Sequence, residues 1–129
     1  MIKYFPKLIL TTVLSLGLFF LANQVQAATI TWTGGGTTNN WSELANWTPA
    51  QVPASTDDVV FSASSTKNST WDASGPSQIK SLTVGSDYTG TLTLARDVTV
   101  AGDWTYNGSN FDAGTSTVKF TSITNITFV

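Results

Sequence analysis

The sequence predicts an all-β fold, a short parallel β-helix (β-solenoid) closed at its start by an aromatic cap. Three observations predict it. Beyond residue 27 there is almost no helical pattern. Short segments alternate apolar and polar residues with a period of two, and Thr recurs on the polar side, as in strands with one face inward. The alternating pairs also recur at long range. Leu82/Val84, Trp104/Tyr106 and Ile126/Phe128 follow at intervals of 22 residues, and Val98/Val100 return 20 residues on as Val118/Phe120. Short strands repeating at such a spacing suit stacked coils, because one coil buries its inner face only against the next. The alternative is a β-sandwich, whose hairpins also produce closely spaced strands. Tight hairpin turns of the Asn-Gly type are missing, except for Asn107-Gly108, which equally suits a solenoid corner.

Residues 1–27 read as a secretory signal peptide. Lys3 and Lys7 give a basic start, Leu8 to Leu21 is an uncharged, mainly apolar run, and the segment ends Val25-Gln26-Ala27. That run is short for a bilayer span, which needs about 20 residues. Export, cleavage after Ala27 and a secreted or cell-surface location are therefore expected, with membrane contact only through the leader during export.

Residues 28–57 are assigned to the N-terminal cap: a leading strand near Trp32, the Gly34-Gly35-Gly36 turn, then "NNWSELANW". A short helical turn capped by Ser42 fits Ser42 to Ala45. Residues 58–129 are assigned to the coils. Their strands are "DVVF", "SLTVG", "TLTLA", "DVTVAG", "DWTYNG", "STVKFT" and "NITFV". Turn formers separate them in "GPSQ", "GSDYTG", "ARD", "NGSN" and "DAGTS". The last strand reads as an open coil, with an apolar end and unpaired backbone. This suggests truncation at the C-terminus: continuation of the same polypeptide, or self-association through the open coil.

Composition narrows the chemistry. The segment from Ala28 on carries four basic residues and eight acids, a formal charge of −4. It lacks the basic patch that nucleic acid requires, so no nucleic-acid partner is expected. The chain has no His and no Cys. This removes His-dependent and Cys nucleophiles, disulfides, and the usual zinc and copper sites. The glycine run lacks the lysine and helix of a phosphate loop. Carboxylates are the remaining candidates. Asp57 and Asp58 would face opposite sides of a strand, and Asp87, Asp103 and Asp112 read as turn formers that bond nearby amides. No nucleophile, base and orienter can be named together, so no catalytic residue, metal or cofactor is predicted. Five Asn-x-Ser/Thr sequons, at Asn40, Asn46, Asn68, Asn107 and Asn125, matter only in a glycosylating host.

The tryptophans allow two readings. Trp32, Trp41 and Trp47 suit a flat platform for stacking sugar rings, with a polysaccharide or cell-surface glycan as partner. They equally suit a lid over the first coil, with Pro53 fixing the turn into "DDVVF". A buried ring removes about 150–250 Å² from water, and solenoids need terminal caps, so the lid is preferred.

"NNWSELANWTPAQVPASTDDVVF" resembles the opening of secreted or surface bacterial parallel β-helix proteins, and is similar to the start of G8-type domains. The residues that carry the resemblance are Trp41, Asn46, Trp47, Pro53, Asp58, Val60 and Phe61. It implies a right-handed parallel β-helix of pectin-lyase-like, adhesin or autotransporter-passenger type. Trp41, Asn46, Trp47, Pro53 and Asp58 would then form the structural cap. Such scaffolds serve adhesins, passenger domains and polysaccharide-active enzymes alike. The expectation is a non-enzymatic structural or adhesive segment. A carbohydrate-binding module using exposed tryptophans is the alternative, and a polysaccharide lyase or hydrolase fragment the weaker one.

Overall fold

The computed structural model of the chain describes residues 26–108, 110–122 and 125–128. The signal-peptide assignment falls almost wholly on residues 1–25, outside the described residues. The rest is a β-solenoid of about three turns, built from parallel sheets.

Three strands form each coil. The first holds β3 (Asp58–Phe61), β4 (Ser69–Trp71) and β5 (Gln78–Ile79). The second holds β6 (Ser81–Val84), β7 (Thr91–Leu94) and β8 (Val98–Val100). The third holds β9 (Trp104–Tyr106), β10 (Asn110–Asp112) and β11 (Val118–Phe120), and β12 (Ile126–Phe128) opens a fourth. Each strand pairs in parallel with its counterpart one coil on. Val59 lies beside Leu82, Leu82 beside Trp104, and Trp104 beside Ile126. Val98 and Val100 lie beside Val118 and Phe120. The 22- and 20-residue recurrences in the sequence are thus the ladders themselves. β9 does not pair with β10, so Asn107-Gly108 turns a corner instead of closing a hairpin. The sandwich alternative falls for the same reason: among the coil strands, pairing runs between coils and not between sequence neighbours.

Inward side chains alternate as the strand period requires. Val59 and Phe61, Leu82 and Val84, and Trp104 and Tyr106 are buried, with Leu92, Leu94, Val98 and Val100 filling the other two walls. Outward, Thr31, Val60, Thr83, Thr105 and Thr127 stand in one row down the large sheet.

The cap is itself a partial coil. β1 (Thr29–Trp32) continues the large sheet by pairing in parallel with β3, and β2 (Trp47–Thr48) pairs antiparallel with β1 as its edge. A second sheet is continued by an isolated parallel bridge between Asn40 and Thr70. The two-residue edge strand β2 is followed at once by Pro49, and such brevity with proline blunts an edge against further pairing. One local expectation needs correcting. The helical turn is a 3-10 turn at Leu44–Asn46, with Glu43 at its cap position and no side-chain cap bond. Ser42 does not cap it; the Ser42 N–H instead donates to Asp72 Oδ1 at 3.0 Å.

Candidate functional site: the aromatic lid and the outer faces

Trp32, Trp41 and Trp47 are 0, 0 and 2% exposed. Trp41 stacks on Trp71 of β4 with ring centres 4.1 Å apart and planes 8° from parallel. Trp47 meets the edges of Trp32 and Trp41 at 4.9 and 5.0 Å, and Phe61 lies under all three. These edge-on and stacked contacts fall near the range aromatic pairs prefer. Each indole donor is also satisfied. Trp32 Nε1 donates to the Lys67 carbonyl at 3.2 Å, Trp41 Nε1 to Ser69 Oγ at 2.6 Å, and Trp47 Nε1 to the Trp41 carbonyl at 2.8 Å. A sugar-stacking platform needs an open ring face, and none of the three rings offers one here. The physical reason is the first coil beneath them, which they cover.

The remaining cap residues lock the lid in place. Asn46 is fully buried: its amide donates to the Thr38 and Asn40 carbonyls, and its Oδ1 accepts the Gly36 N–H at 2.8 Å. The asparagine of its sequon is thus enclosed within the fold, although Thr48 is exposed. Gly34 has φ +63°, and a Cβ there would fall within 2.9 Å of the Ser65 and Lys67 side chains. A side chain is excluded both by conformation and by space. Pro53 is buried before β3. Asp58 opens that strand and pairs with Lys80 at 3.0 Å, both partly exposed.

Several anchoring residues were not legible. Asp57 is buried, and its carboxylate accepts the Ala28 and Ala54 N–H groups at 3.0 and 2.8 Å. It thereby ties the start of β1 to the entry of β3. Lys67 reaches back so that Nζ donates to the Gly36 and Thr38 carbonyls. Tyr88, inside the stretch read as a turn, is buried and donates to the Lys67 carbonyl at 2.9 Å. Burial pushes the Tyr88 phenol well up, with Tyr106 adding to it, and burial takes the Tyr106 phenol up to about 12. Trp71 carries the lid's stack from a strand with one apolar residue and no alternating partner.

Most of the other carboxylates accept backbone N–H groups. Glu43 accepts from the Thr38 hydroxyl at 2.5 Å, and from the Thr37 and Thr38 N–H groups at 2.7 Å each. The Thr38 hydroxyl is the largest cause, the two amides adding to it, by which its carboxyl is held down to about 2. Partial burial disfavours the charged form of Asp72, but hydrogen bonds from Ser42 and Ser74 outweigh it and lower its pKa. Asp97, Asp103 and Asp112 accept the N–H groups of Thr117, Asn125 and Gly114. Arg96 donates to the Ala73, Gly75 and Asp97 carbonyls. Among the described residues, no three acids converge in a way that could hold a metal ion.

The far end is different. Phe111, Ile126 and Phe128 are 37, 44 and 65% exposed. Phe111, Phe120 and Phe128 surround Trp104 at 5.7 to 6.5 Å, and Trp104 Nε1 is buried without a hydrogen-bond partner. No protein-family model matches the chain, and no curated protein or solved structure matches it either.

Proposed function

We propose that the chain is an exported, non-enzymatic β-solenoid segment of a bacterial surface or secreted protein, with a structural or adhesive role. The observation that carries this reading is how the tryptophans are used. Trp32, Trp41 and Trp47 are buried over the first coil, not open to a ligand, while Thr83, Thr105 and Thr127 stand in a row on the outer face of the large sheet. The leader-like residues 1–27 and the resemblance to β-helix adhesins and passenger domains point the same way. The test uses the exported protein recovered from a bacterial host. The reading expects an N-terminus at Ala28 and cooperative unfolding without any ligand. Release of sugar products from polysaccharide, abolished by a single carboxylate substitution, would overturn it in favour of an enzyme fragment. Saturable sugar binding lost in Trp41→Ala, with the fold intact, would favour the carbohydrate-binding module.

The exposed apolar residues around Trp104 support a docked layer there: further coils of the same polypeptide, or a second copy. Light scattering on the exported protein, with and without Phe128→Lys, separates self-association from a monomer.

A further inference from the structure

The third sheet carries a groove of about 350 Å³ on its outer side, where β5, β8 and β11 begin. Register builds it. Gln78 lies beside Thr99 and Thr99 beside Lys119, one outward side chain per coil. The spacing between strands sets these side chains roughly 4.8 Å apart. The residues preceding the strands, Ser77, Asp97 and Thr117, form the rim. Asp97 is held there because its Oδ1 accepts the Thr117 N–H at 2.7 Å. Its other oxygen is left to face the groove or water.

Lys119 is the unusual member. Each of the other basic residues among those described is engaged. Lys67 binds two carbonyls, Lys80 pairs with Asp58, and Arg96 binds three carbonyls. Lys119 is exposed and, among the described residues, has no ion pair or hydrogen bond, and the side chains of Gln78 and Thr99 make none there either. A groove thus gathers one free cation, one half-free carboxylate, an amide and hydroxyls, whereas polar groups in the lid are spent on the protein itself.

We propose that this groove binds a carboxylated saccharide, as a free sugar acid or as a residue of an acidic glycan. Lys119 takes the ligand carboxylate as a point charge. Asp97 accepts from a ring hydroxyl, and Gln78 and Thr99 complete the hydroxyl contacts. Asp97 disfavours a doubly charged anion at the same place, which selects a monoanionic carboxylate over a phosphate. The volume is at the small end for ligand sites, room for one or two rings. With no aromatic platform in the groove, affinity is weak, on the order of 1 mM. The proposal is independent of the scaffold reading, and its failure leaves that reading standing.

The experiment titrates D-glucuronate, D-glucose and acetate separately into the exported protein and follows amide shifts by nuclear magnetic resonance. Saturable glucuronate shifts centred on Gln78, Thr99 and Lys119 are expected. Lys119→Gln, at an exposed position, should weaken them at least tenfold, while Lys80→Gln leaves them unchanged. Glucose binding as tightly as glucuronate would overturn the role of Lys119. Acetate matching glucuronate would overturn saccharide recognition, leaving a bare lysine and a carboxylate. Shifts centred elsewhere, or none at all, would overturn the site.

Discussion

At the N-terminal end of the solenoid, Trp32, Trp41, Trp47 and Trp71 each donate to an oxygen; at the other end, Trp104 has none. The same residue type meets two different neighbourhoods. Three of the four accepting oxygens, the Lys67 and Pro76 carbonyls and Ser69 Oγ, belong to the first coil and the fourth, the Trp41 carbonyl, to the lid, which Asn46 and Glu43 hold from within and Lys67 from the coil beneath. Around Trp104 the nearest rings are Tyr106, Phe111, Phe120 and Phe128. An indole brings a large apolar area and one obligatory donor. Burying the area is easy in any coil, but satisfying the donor takes an oxygen placed against it, which the first coil and the lid supply and the rings around Trp104 do not. Closure therefore concentrates stabilising contacts at the lid.

The largest expected effect follows from this. Trp41→Ala removes the stack on Trp71, two further ring contacts and the bond to Ser69. Such a truncation in a packed core costs about 3–5 kcal/mol. A small domain holds only about 5–15 kcal/mol in total. Urea unfolding should show a large fall in midpoint, with loss of near-ultraviolet circular dichroism if the lid opens as a unit. A midpoint close to the parent's would mean the lid is peripheral to stability and the contrast between the ends is superficial.

Asn46→Ala comes next. Its side chain satisfies the Gly36 N–H and donates to the Thr38 and Asn40 carbonyls; those carbonyls keep Lys67 Nζ and the Glu43 N–H as second donors, so the Gly36 N–H is the group the substitution strands. Leaving buried polar groups unpaired costs about 1–3 kcal/mol. Thermal melting should show a lower transition, and hydrogen exchange should rise at Gly36 before it rises in the coils. Uniform exchange across the whole domain would instead mean that loop and coils open together.

A smaller effect is confined to acid. The Glu43 carboxyl lies at about 2 in the folded protein against an ordinary 4.5. A depressed folded value means the charged form is favoured by folding. The contribution is complete above the ordinary value and is lost as pH falls from about 4.5 towards 2. Glu43→Gln should therefore be less stable than the parent at neutral pH, and the gap should close below about pH 2. A gap that stays constant across a pH series of melts would assign it to packing and not to the charge.

Much of the coil architecture was legible because it repeats. Leu82/Val84, Trp104/Tyr106 and Ile126/Phe128 are the aligned rows themselves, since parallel stacking sets like residues at equal intervals. The lid residues Trp41, Asn46 and Trp47 were legible as a motif, although the hydrogen bonds that make Asn46 central were not. β4 and β5 escaped because each holds a single apolar residue, so no apolar alternation shows in either. Ser69 occupies an inward position, where its hydroxyl accepts the Trp41 indole N–H. Tyr88 looked like part of a turn because its burial depends on the carbonyl of Lys67, 21 residues away. The groove of the third sheet was invisible for a related reason. Gln78, Thr99 and Lys119 are far apart in sequence and meet only through register.

The smallest expected effect tests the comparison within a single row. Phe61, Val84, Tyr106 and Phe128 occupy one inward rank of the large sheet, each aligned with the next. Phe61 is wholly buried beneath the lid, whereas Phe128 is 65% exposed. The two phenylalanines share chemistry, strand position and facing direction, and differ only in what lies above them. Phe61→Ala should cost about 3–5 kcal/mol as a cavity-forming change. Phe128→Ala should stay within about 0.5 kcal/mol, as for a surface position. Parallel urea titrations at low protein concentration measure both. If Phe128→Ala proves comparably costly, and the cost grows with protein concentration, that ring is already covered by another copy. The open end would then be an interface, closed by a partner in the way the lid closes the first coil.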